Sequence, residues 1–187
     1  MHRFIVNYLA PREYAASLTE VCPKSLLARG IRGAILDLDN TLVPWNSSTI
    51  QPEVRQWVES ALADGLHLCI LSNTSRKKRL QTLGAELRIP CIRGRKPRRH
   101  SFREAMRILK TAPGETAVIG DQIFTDVFGG NRLGLYTILV RRIARKEFLG
   151  TYISRLAEAL LLGYLRRCGR EPWTENKQSQ KHTAQQK

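Results

Sequence analysis

The stretch that decides the fold is GAILDLDNT, residues 33–41, in which a short apolar run leads directly into two aspartates. A run without polar interruption predicts a strand that is buried on both faces of a parallel sheet. Because side chains alternate along an extended strand, Asp37 and Asp39 are expected on the same side of the chain. Two carboxylates placed so close together repel each other unless a cation lies between them. The stretch therefore also predicts a cation-dependent site.

Four further apolar runs follow this strand, at intervals that each leave room for a helix. They predict strands at 66–72, 89–94, 115–121 and 135–140. Apolar residues at helical spacing predict helices at 52–63, 75–87 and 100–110. Right-handed crossovers between parallel strands then give a doubly wound α/β fold, with about five parallel strands and helices on both faces. Ligands of such sheets bind beyond the carboxyl ends of the strands.

The chain has 187 residues, which we divide into four segments. They are an N-terminal helical flank (1–30), a core (31–146), a C-terminal amphipathic helix (147–170) and a polar tail (171–187). The tail is almost free of aliphatic residues, so it cannot bury enough apolar surface to offset the entropy cost of ordering. It is predicted to be disordered.

The net charge and the spacing of the cysteines indicate which kinds of partner and which cellular compartment to expect. Lys and Arg total 31 against 16 Asp and Glu, a net charge of +15. This favours an anionic partner such as a phosphate ester, an acidic membrane surface or nucleic acid, although a charge that only promotes solubility is the alternative. The four cysteines are scattered, there is no signal-peptide pattern, and no apolar run approaches the roughly 20 residues of a spanning helix. These features predict a cytoplasmic protein with reduced thiols that does not cross a membrane.

Groups suited to phosphate chemistry stand at the ends of four predicted strands. In chain order they are Asp37 and Asp39, Ser72 and Asn73, Lys96, and Asp121 and Asp126. Each group alone is weak evidence, because an Asp or Ser after a strand is often only a cap or a turn residue. Their joint occurrence at successive strand ends is what points to phosphoryl chemistry.

These pieces carry a resemblance to a known family. DLDNT, LSN, RKP and GDQIFTD resemble, in order, the four motifs of the haloacid dehalogenase (HAD) superfamily of phosphatases. The stretches at 10–33 and 129–140 resemble the YqeG-like subgroup, which is similar to mitochondrial phosphatidylglycerophosphate phosphatases. The resemblance covers about residues 1–170. It implies a HAD-like Rossmannoid fold and phosphomonoester hydrolysis through an aspartyl-phosphate.

The resemblance also implies a role for each site residue. Asp37 would be the nucleophile. Asp39 would protonate the leaving oxygen and then take a proton from the hydrolytic water. Ser72 and the Asn73 amide would hold the phosphoryl oxygens, and Lys96 would offset the charge of the phosphoryl group and the nucleophile.

A magnesium ion is the implied cofactor, and hard oxygen ligands suit it. It would bind the Asp37 carboxylate, the Asp39 main-chain carbonyl and Asp121, with Asp126 as a ligand through water or as an orienting group. Arg95 and Lys96 are both candidates for the cation of the third motif. We assign this role to Lys96 because it precedes Pro97, as in the family pattern.

The intervals between the motifs predict an open site. Neither 41–72 nor 75–96 has room for a folded cap, so no large cap domain is expected. Apolar residues at 4–9 and the helix at 147–167, which ends in basic residues, either meet a membrane surface peripherally or pack on the domain. The favoured substrate is phosphatidylglycerophosphate, an anionic phospholipid.

Three alternatives remain open. One is the same chemistry on a soluble nucleotide or sugar phosphate. Another is a non-enzymatic scaffold that binds RNA or a protein; the basic runs, however, lack the aromatic residues that stack on bases, so nucleic acid is the less favoured partner. The third is a response-regulator receiver, which would place its acceptor Asp after a later strand.

Overall fold

The structure, a computed structural model, describes residues 2–143 and 152–167. Six strands form one sheet in the order β1-β6-β5-β2-β3-β4, and all neighbouring strands are parallel. Their bounds are β1 (Glu13–Ala15), β2 (Gly33–Leu36), β3 (His67–Ser72), β4 (Cys91–Arg93), β5 (Thr116–Gly120) and β6 (Tyr136–Val140). The predicted α/β fold with a parallel sheet is confirmed.

Helices connect these strands. Their bounds are α1 (His2–Leu9), α2 (Pro23–Ala28), α3 (Pro52–Ala63), α4 (Lys77–Leu87), α5 (Arg99–Leu109), α6 (Phe128–Asn131) and α7 (Tyr152–Arg167). Short 3₁₀ turns span Leu18–Glu20 and Pro113–Glu115, and a single π-helical turn spans Ile123–Val127. The π-helical turn directly follows β5 and places side chains at the carboxyl edge of the sheet.

The central strand β2 is buried at every position because helices cover both faces of the sheet. Ala34 and Leu36 belong to the apolar cluster that includes residues of α3 and α4, such as Trp57 and Leu83. Ile35, on the opposite face, packs in a second cluster with residues of α5. Alternate residues of one strand thus enter two separate cores, as a doubly wound sheet requires.

The flanking helices pack on the domain in the part of the chain described. Leu161 and Leu165 of α7 are buried with Ile123 and Val127 of the π-helical turn and with Leu139 of β6. Other apolar side chains of the two flanking helices stay exposed: Phe4, Tyr8, Leu160 and Tyr164. Among the residues described, no helix has both the length and the apolar character needed to span a membrane.

Two sequence predictions need correction. The sheet has a sixth strand, β1, which lies in the N-terminal flank and pairs with β6; its residues Glu13–Ala15 form no apolar run of the kind that marked the other strands. The first strand was predicted to run to Asp39 but ends at Leu36, because the chain turns between Leu38 and Val43.

No folded cap interrupts the described chain between β2 and Lys96. Only a loop and α3 lie between β2 and β3, and the chain from α4 to Lys96 holds only β4 beyond the helix. The tail at 171–187 and the boundaries at 146 and 170 fall outside the described residues, so the division into four segments stays a prediction.

Candidate active site

A cleft of about 740 Å³ opens at the carboxyl edge of the sheet. It is lined by Asp37, Asp39, Asn40, Trp45, Asn46, Ser72, Asn73, Thr74, Ser75, Arg76, Arg79, Lys96, Gln122 and Thr125. These residues come from the segments after β2, β3, β4 and β5, which converge because parallel strands end at the same edge. The structure therefore brings together, at one cleft, residues from all four strand ends that the sequence singled out.

The loop after β2 separates the two aspartates of the first motif. The Asp37 N–H still donates to the Ile119 carbonyl across the sheet at 2.9 Å. The chain then folds back, with the N–H groups of Leu42 and Val43 donating to the Leu38 carbonyl. Asp37 consequently points into the buried floor of the cleft and Asp39 into its wall, where each meets a different cation. Both aspartates line the same cleft, and in this arrangement each carboxylate has a protein cation of its own.

Lys96 occupies the floor of the cleft. Its Nζ lies 2.6 Å from Asp37 Oδ1 and 2.6 Å from Asp126 Oδ1, and all three side chains are buried. The Asn73 side chain holds the Lys96 backbone from both sides, because Nδ2 donates to the Lys96 carbonyl at 3.0 Å and Oδ1 accepts from its N–H at 2.7 Å. Arg95 is exposed. Of the two competing cations, Lys96 is the one beside the acids.

Asp126 is fixed from the other side by the chain that leaves β5. Its Oδ2 accepts from the Gln122 N–H at 3.1 Å. Gly120 lets this carboxylate approach, because a Cβ at that position would lie 2.3 Å from Asp126 Cγ. The glycine of the GDQIFTD motif is therefore required by close packing rather than by an unusual backbone angle.

Three buried carboxylates form a group that could hold a metal ion. One oxygen each from Asp37, Asp121 and Asp126 lies within 4.8 Å of the others. Three carboxylates this close together repel one another, and a divalent cation among them would offset that repulsion. An all-oxygen donor set suits a hard cation such as Mg²⁺. The Asp39 carboxylate is not part of this group.

Burial and charge act in opposite directions on the pair at the floor. Burial raises the pKa of Asp37 to about 6; Lys96 and the Leu38 N–H lower it, and Asp126 raises it further. Burial also tends to lower the pKa of Lys96, but the carboxylates of Asp126 and Asp37 outweigh this effect and raise it above its ordinary value. A divalent cation at the same carboxylates would favour the ionised form of Asp37.

Arg79 holds the second aspartate against the wall of the cleft. Its Nη2 donates to Asp39 Oδ1 at 2.8 Å and its Nη1 to Oδ2 at 3.2 Å, while its Nε donates to the Ser47 carbonyl at 2.7 Å. The Asn46 N–H also donates to Asp39 Oδ1, at 3.1 Å. Both carboxylate oxygens are thus occupied in this arrangement.

Arg79 was not among the site residues predicted from the sequence, because the side chains of a basic run such as 76–79 are ordinarily solvated. Lys77 and Lys78 are indeed exposed, but the Arg79 side chain is only 7% exposed. A signal was present: Arg76 and Arg79 are three positions apart at the start of a helix, so both face the same side. Here that side is the loop at 44–49.

The remaining predicted residues also lie at the cleft. Ser72 is buried, and its Oγ accepts from the Thr74 N–H at 3.2 Å. Because the Asn73 side chain is engaged with Lys96, the backbone N–H of Asn73 is its group suited to a phosphoryl oxygen. The structure thus places all seven predicted residues at the cleft or its floor, and adds Arg79.

Comparison with known proteins agrees with this geometry. Residues 94–147 match a hydrolase-like family model, described as HAD-hydrolase-like. The chain is 36% identical over 170 residues to the probable phosphatase YqeG of Bacillus subtilis, which covers 90% of this chain and 98% of that protein. It is 29% identical over 172 residues to phosphatidylglycerophosphate phosphatase 1, chloroplastic/mitochondrial, of Arabidopsis thaliana. That match covers 86% of this chain but only 49% of the plant protein.

Solved structures share the fold. An uncharacterised protein from Listeria monocytogenes serotype 4b superposes with a TM-score of 0.50 at 18% identity, covering 71% of this chain and 98% of its own. A predicted HAD-like hydrolase from Porphyromonas gingivalis gives a TM-score of 0.50 at 16% identity, covering 70% and 98%. The identity and coverage of the match to the Bacillus protein establish the family, and the chain belongs to the YqeG-like phosphatases of the HAD superfamily.

Proposed function

We propose that this protein is a magnesium-dependent phosphomonoesterase that forms an aspartyl-phosphate on Asp37 and that its substrate is phosphatidylglycerophosphate. The observation that carries the chemistry is the floor of the cleft. There, buried Asp37 lies beside Lys96 and within a group of three carboxylates suited to a divalent cation. Phosphoryl transfer needs positioning and charge stabilisation more than elaborate covalent chemistry, and this floor offers both.

In the first step a carboxylate oxygen of Asp37 attacks phosphorus, and the bond from phosphorus to the ester oxygen breaks. Asp39 gives its proton to that oxygen, so the product leaves as an alcohol. In the second step Asp39 takes a proton from water, whose oxygen attacks the same phosphorus. The acyl-phosphate bond then breaks, which releases inorganic phosphate and restores Asp37. Asp39 thus acts as acid and then as base.

The other residues of the floor hold the phosphoryl group. The Ser72 hydroxyl and the Asn73 N–H donate to its oxygens, while Lys96 stabilises the negative charge that Asp37 and the phosphoryl group bring together. Mg²⁺ would be held by the carboxylates of Asp37 and Asp121 and the Asp39 carbonyl, with Asp126 orienting; when bound, it neutralises charge on the phosphoryl oxygens.

The substrate is supported by two observations. Within residues 2–143 no folded cap stands over the cleft, so a headgroup attached to a large body can enter. The Arabidopsis relative is named for phosphatidylglycerophosphate, although this chain spans about half of that protein. A cytoplasmic protein that meets the membrane peripherally would suit such a substrate.

A soluble phosphate ester is the second candidate, because the floor of the cleft recognises only the phosphoryl group. A non-enzymatic scaffold is disfavoured by the complete set of acids, which would have no role in binding RNA or a protein.

The test is phosphate release from phosphatidylglycerophosphate in mixed micelles, with and without Mg²⁺. We expect metal-dependent release that falls on the order of 10⁴-fold or more in Asp37→Asn. Asp64→Asn, which removes a carboxylate paired only with Lys24 on the surface, is the matched control and should keep activity. Release from an aryl phosphate but not from the lipid would support the phosphatase activity and rule out the lipid as the substrate. No release from either would discard the enzyme.

A further inference from the structure

Two exposed apolar residues are held at the mouth of the cleft by the same asparagine. Trp45 is 40% exposed and Ile143 is 47% exposed. The Asn40 Oδ1 accepts from the Trp45 N–H at 3.2 Å, and the Asn40 carbonyl accepts from the Ile143 N–H at 3.2 Å. Trp45 and Asn40 line the cleft, so the backbone of Ile143 lies next to its opening.

Arginines surround this apolar pair. Arg76 lines the cleft, is exposed and donates a side-chain hydrogen bond to Asn46, the neighbour of Trp45. Arg141 and Arg142, directly before Ile143, are exposed as well. Further around the same edge of the sheet, Arg95 and Arg98 follow β4 and are exposed.

We propose that the rim formed by Trp45, Arg76, Arg142 and Ile143 docks on an anionic lipid bilayer, so that the cleft opens onto the headgroups. This rests on the proposed function and adds the surface and the orientation of binding. Trp is favoured at the depth of lipid headgroups, and basic residues near the surface add attraction to anionic lipids. The expected membrane contact through the flanking segments would not by itself require the cleft to face the bilayer.

The burial of the nucleophile supports this orientation. Asp37 is only 6% exposed and lies at the floor. A phospholipid whose tails remain in the bilayer extends only its headgroup into water. Its phosphate can therefore reach the floor only when the mouth of the cleft lies against the membrane.

Other occupants fit the rim less well. Nucleic acid is bound chiefly through cations on its phosphates, and an exposed Ile beside the opening adds nothing to such contacts. A second copy of the chain would bring like charges together across a two-fold interface, in a protein whose net charge is +15. An anionic bilayer accepts both the cations and the apolar side chains.

Sedimentation of the full chain with vesicles tests the proposal, with phosphatidylcholine vesicles that either contain or lack phosphatidylglycerol. We expect binding only to the anionic vesicles and a loss of affinity of about tenfold in Ile143→Asp, because apolar contact is lost and a negative charge is added. Leu62→Asp is the matched control. Leu62 is an exposed apolar residue near the end of α3, away from the cleft, and its change should leave binding intact. Equal effects of the two changes, or binding of RNA without binding of vesicles, would overturn the proposal.

A second measurement does not depend on how well Ile143→Asp folds. With Trp173→Phe as the background, lipids brominated near the headgroup should quench the fluorescence of the protein more than that of its Trp45→Phe variant, because the one remaining tryptophan, Trp57, is buried. Equal quenching of the two proteins would place the contact elsewhere and reject the rim. Binding does not require catalysis, so failure to bind vesicles and failure to cleave an aryl phosphate are separate outcomes.

Discussion

Asp37 and Asp39 belong to one short motif but lie in two different regions of the cleft. Asp37 is 6% exposed and meets the ammonium of Lys96 at the floor, within the group of three acids. Asp39 is 21% exposed in its side chain and meets the guanidinium of Arg79 at the wall. The floor is buried and rich in carboxylates, whereas at the wall the carboxylate keeps some exposure and is paired with a buried guanidinium.

The difference between floor and wall teaches how one motif can supply two chemical roles. At the floor, burial raises the pKa of Asp37 to about 6, and the counter-charge that keeps it ionised comes from a residue far along the chain. At the wall, the Asp39 carboxylate is 21% exposed, so the ester oxygen of a substrate can reach it from the cleft. A fixed nucleophile and a movable acid-base group would follow from this arrangement.

At the wall, the largest effect should come from Asp39→Asn, and it should depend on the leaving group. An alkyl alcohol needs a proton to leave, so kcat for an alkyl phosphate should fall by about 10²–10⁴-fold. A nitrophenolate leaves without one, so its release in the first step should be spared and the aspartyl-phosphate should accumulate. Rapid-quench kinetics with both substrates measure this contrast. An equal decrease in the rate of the first step for both substrates would contradict the role of Asp39 as general acid.

Lys96→Met should give the largest loss of stability. It removes the cation of the floor and leaves buried carboxylates uncompensated, so the free energy of unfolding should fall by about 3–5 kcal/mol near neutral pH. The loss should shrink in acid, because Asp37, whose pKa is raised to about 6 and would rise further without the cation, takes up a proton in the folded state.

Urea denaturation of wild type and Lys96→Met, near neutral pH and in acid, measures this loss. Lys24→Met, which breaks an exposed pair with Asp64, is the control and should change the free energy of unfolding by less than about 1 kcal/mol. If the free energy of unfolding fell no more in Lys96→Met than in the control, the stability of the floor would not depend on Lys96.

Arg79→Lys should have the smallest effect of the three. An ammonium cannot reproduce the planar contacts to both oxygens of Asp39 and to the Ser47 carbonyl. We expect kcat for an alkyl phosphate to fall about tenfold while KM changes little, and the aryl phosphate to be less affected. The control is Lys78→Ala, a change at the exposed residue next to Arg79. A loss in KM alone would indicate that Arg79 binds substrate directly and does not position Asp39.

The elements that could be predicted from the sequence are those with a clear local pattern. The helix predicted at 52–63 has those bounds in the structure, because Pro52 starts it and apolar residues recur at helical spacing. The buried strands were predicted because their apolar runs are long enough to recognise. Strand β1 was missed because its three residues form a strand only through pairing with β6. The turn at 38–43 was missed because the motif around it reads as a continuing strand.

The sequence by itself determined the parallel α/β fold, the edge where the site lies and the residue types that the site contains. It could do so because the apolar periodicity and the succession of strands and helices along the chain can be read from the sequence itself. Only the tertiary structure decided which cation meets which acid: Lys96 with Asp37 and Asp126 at the floor, and Arg79 with Asp39 at the wall. These pairings join residues 30 to 59 positions apart, and their geometry depends on how neighbouring strands end and how the loops fold back over them. No local pattern specifies that.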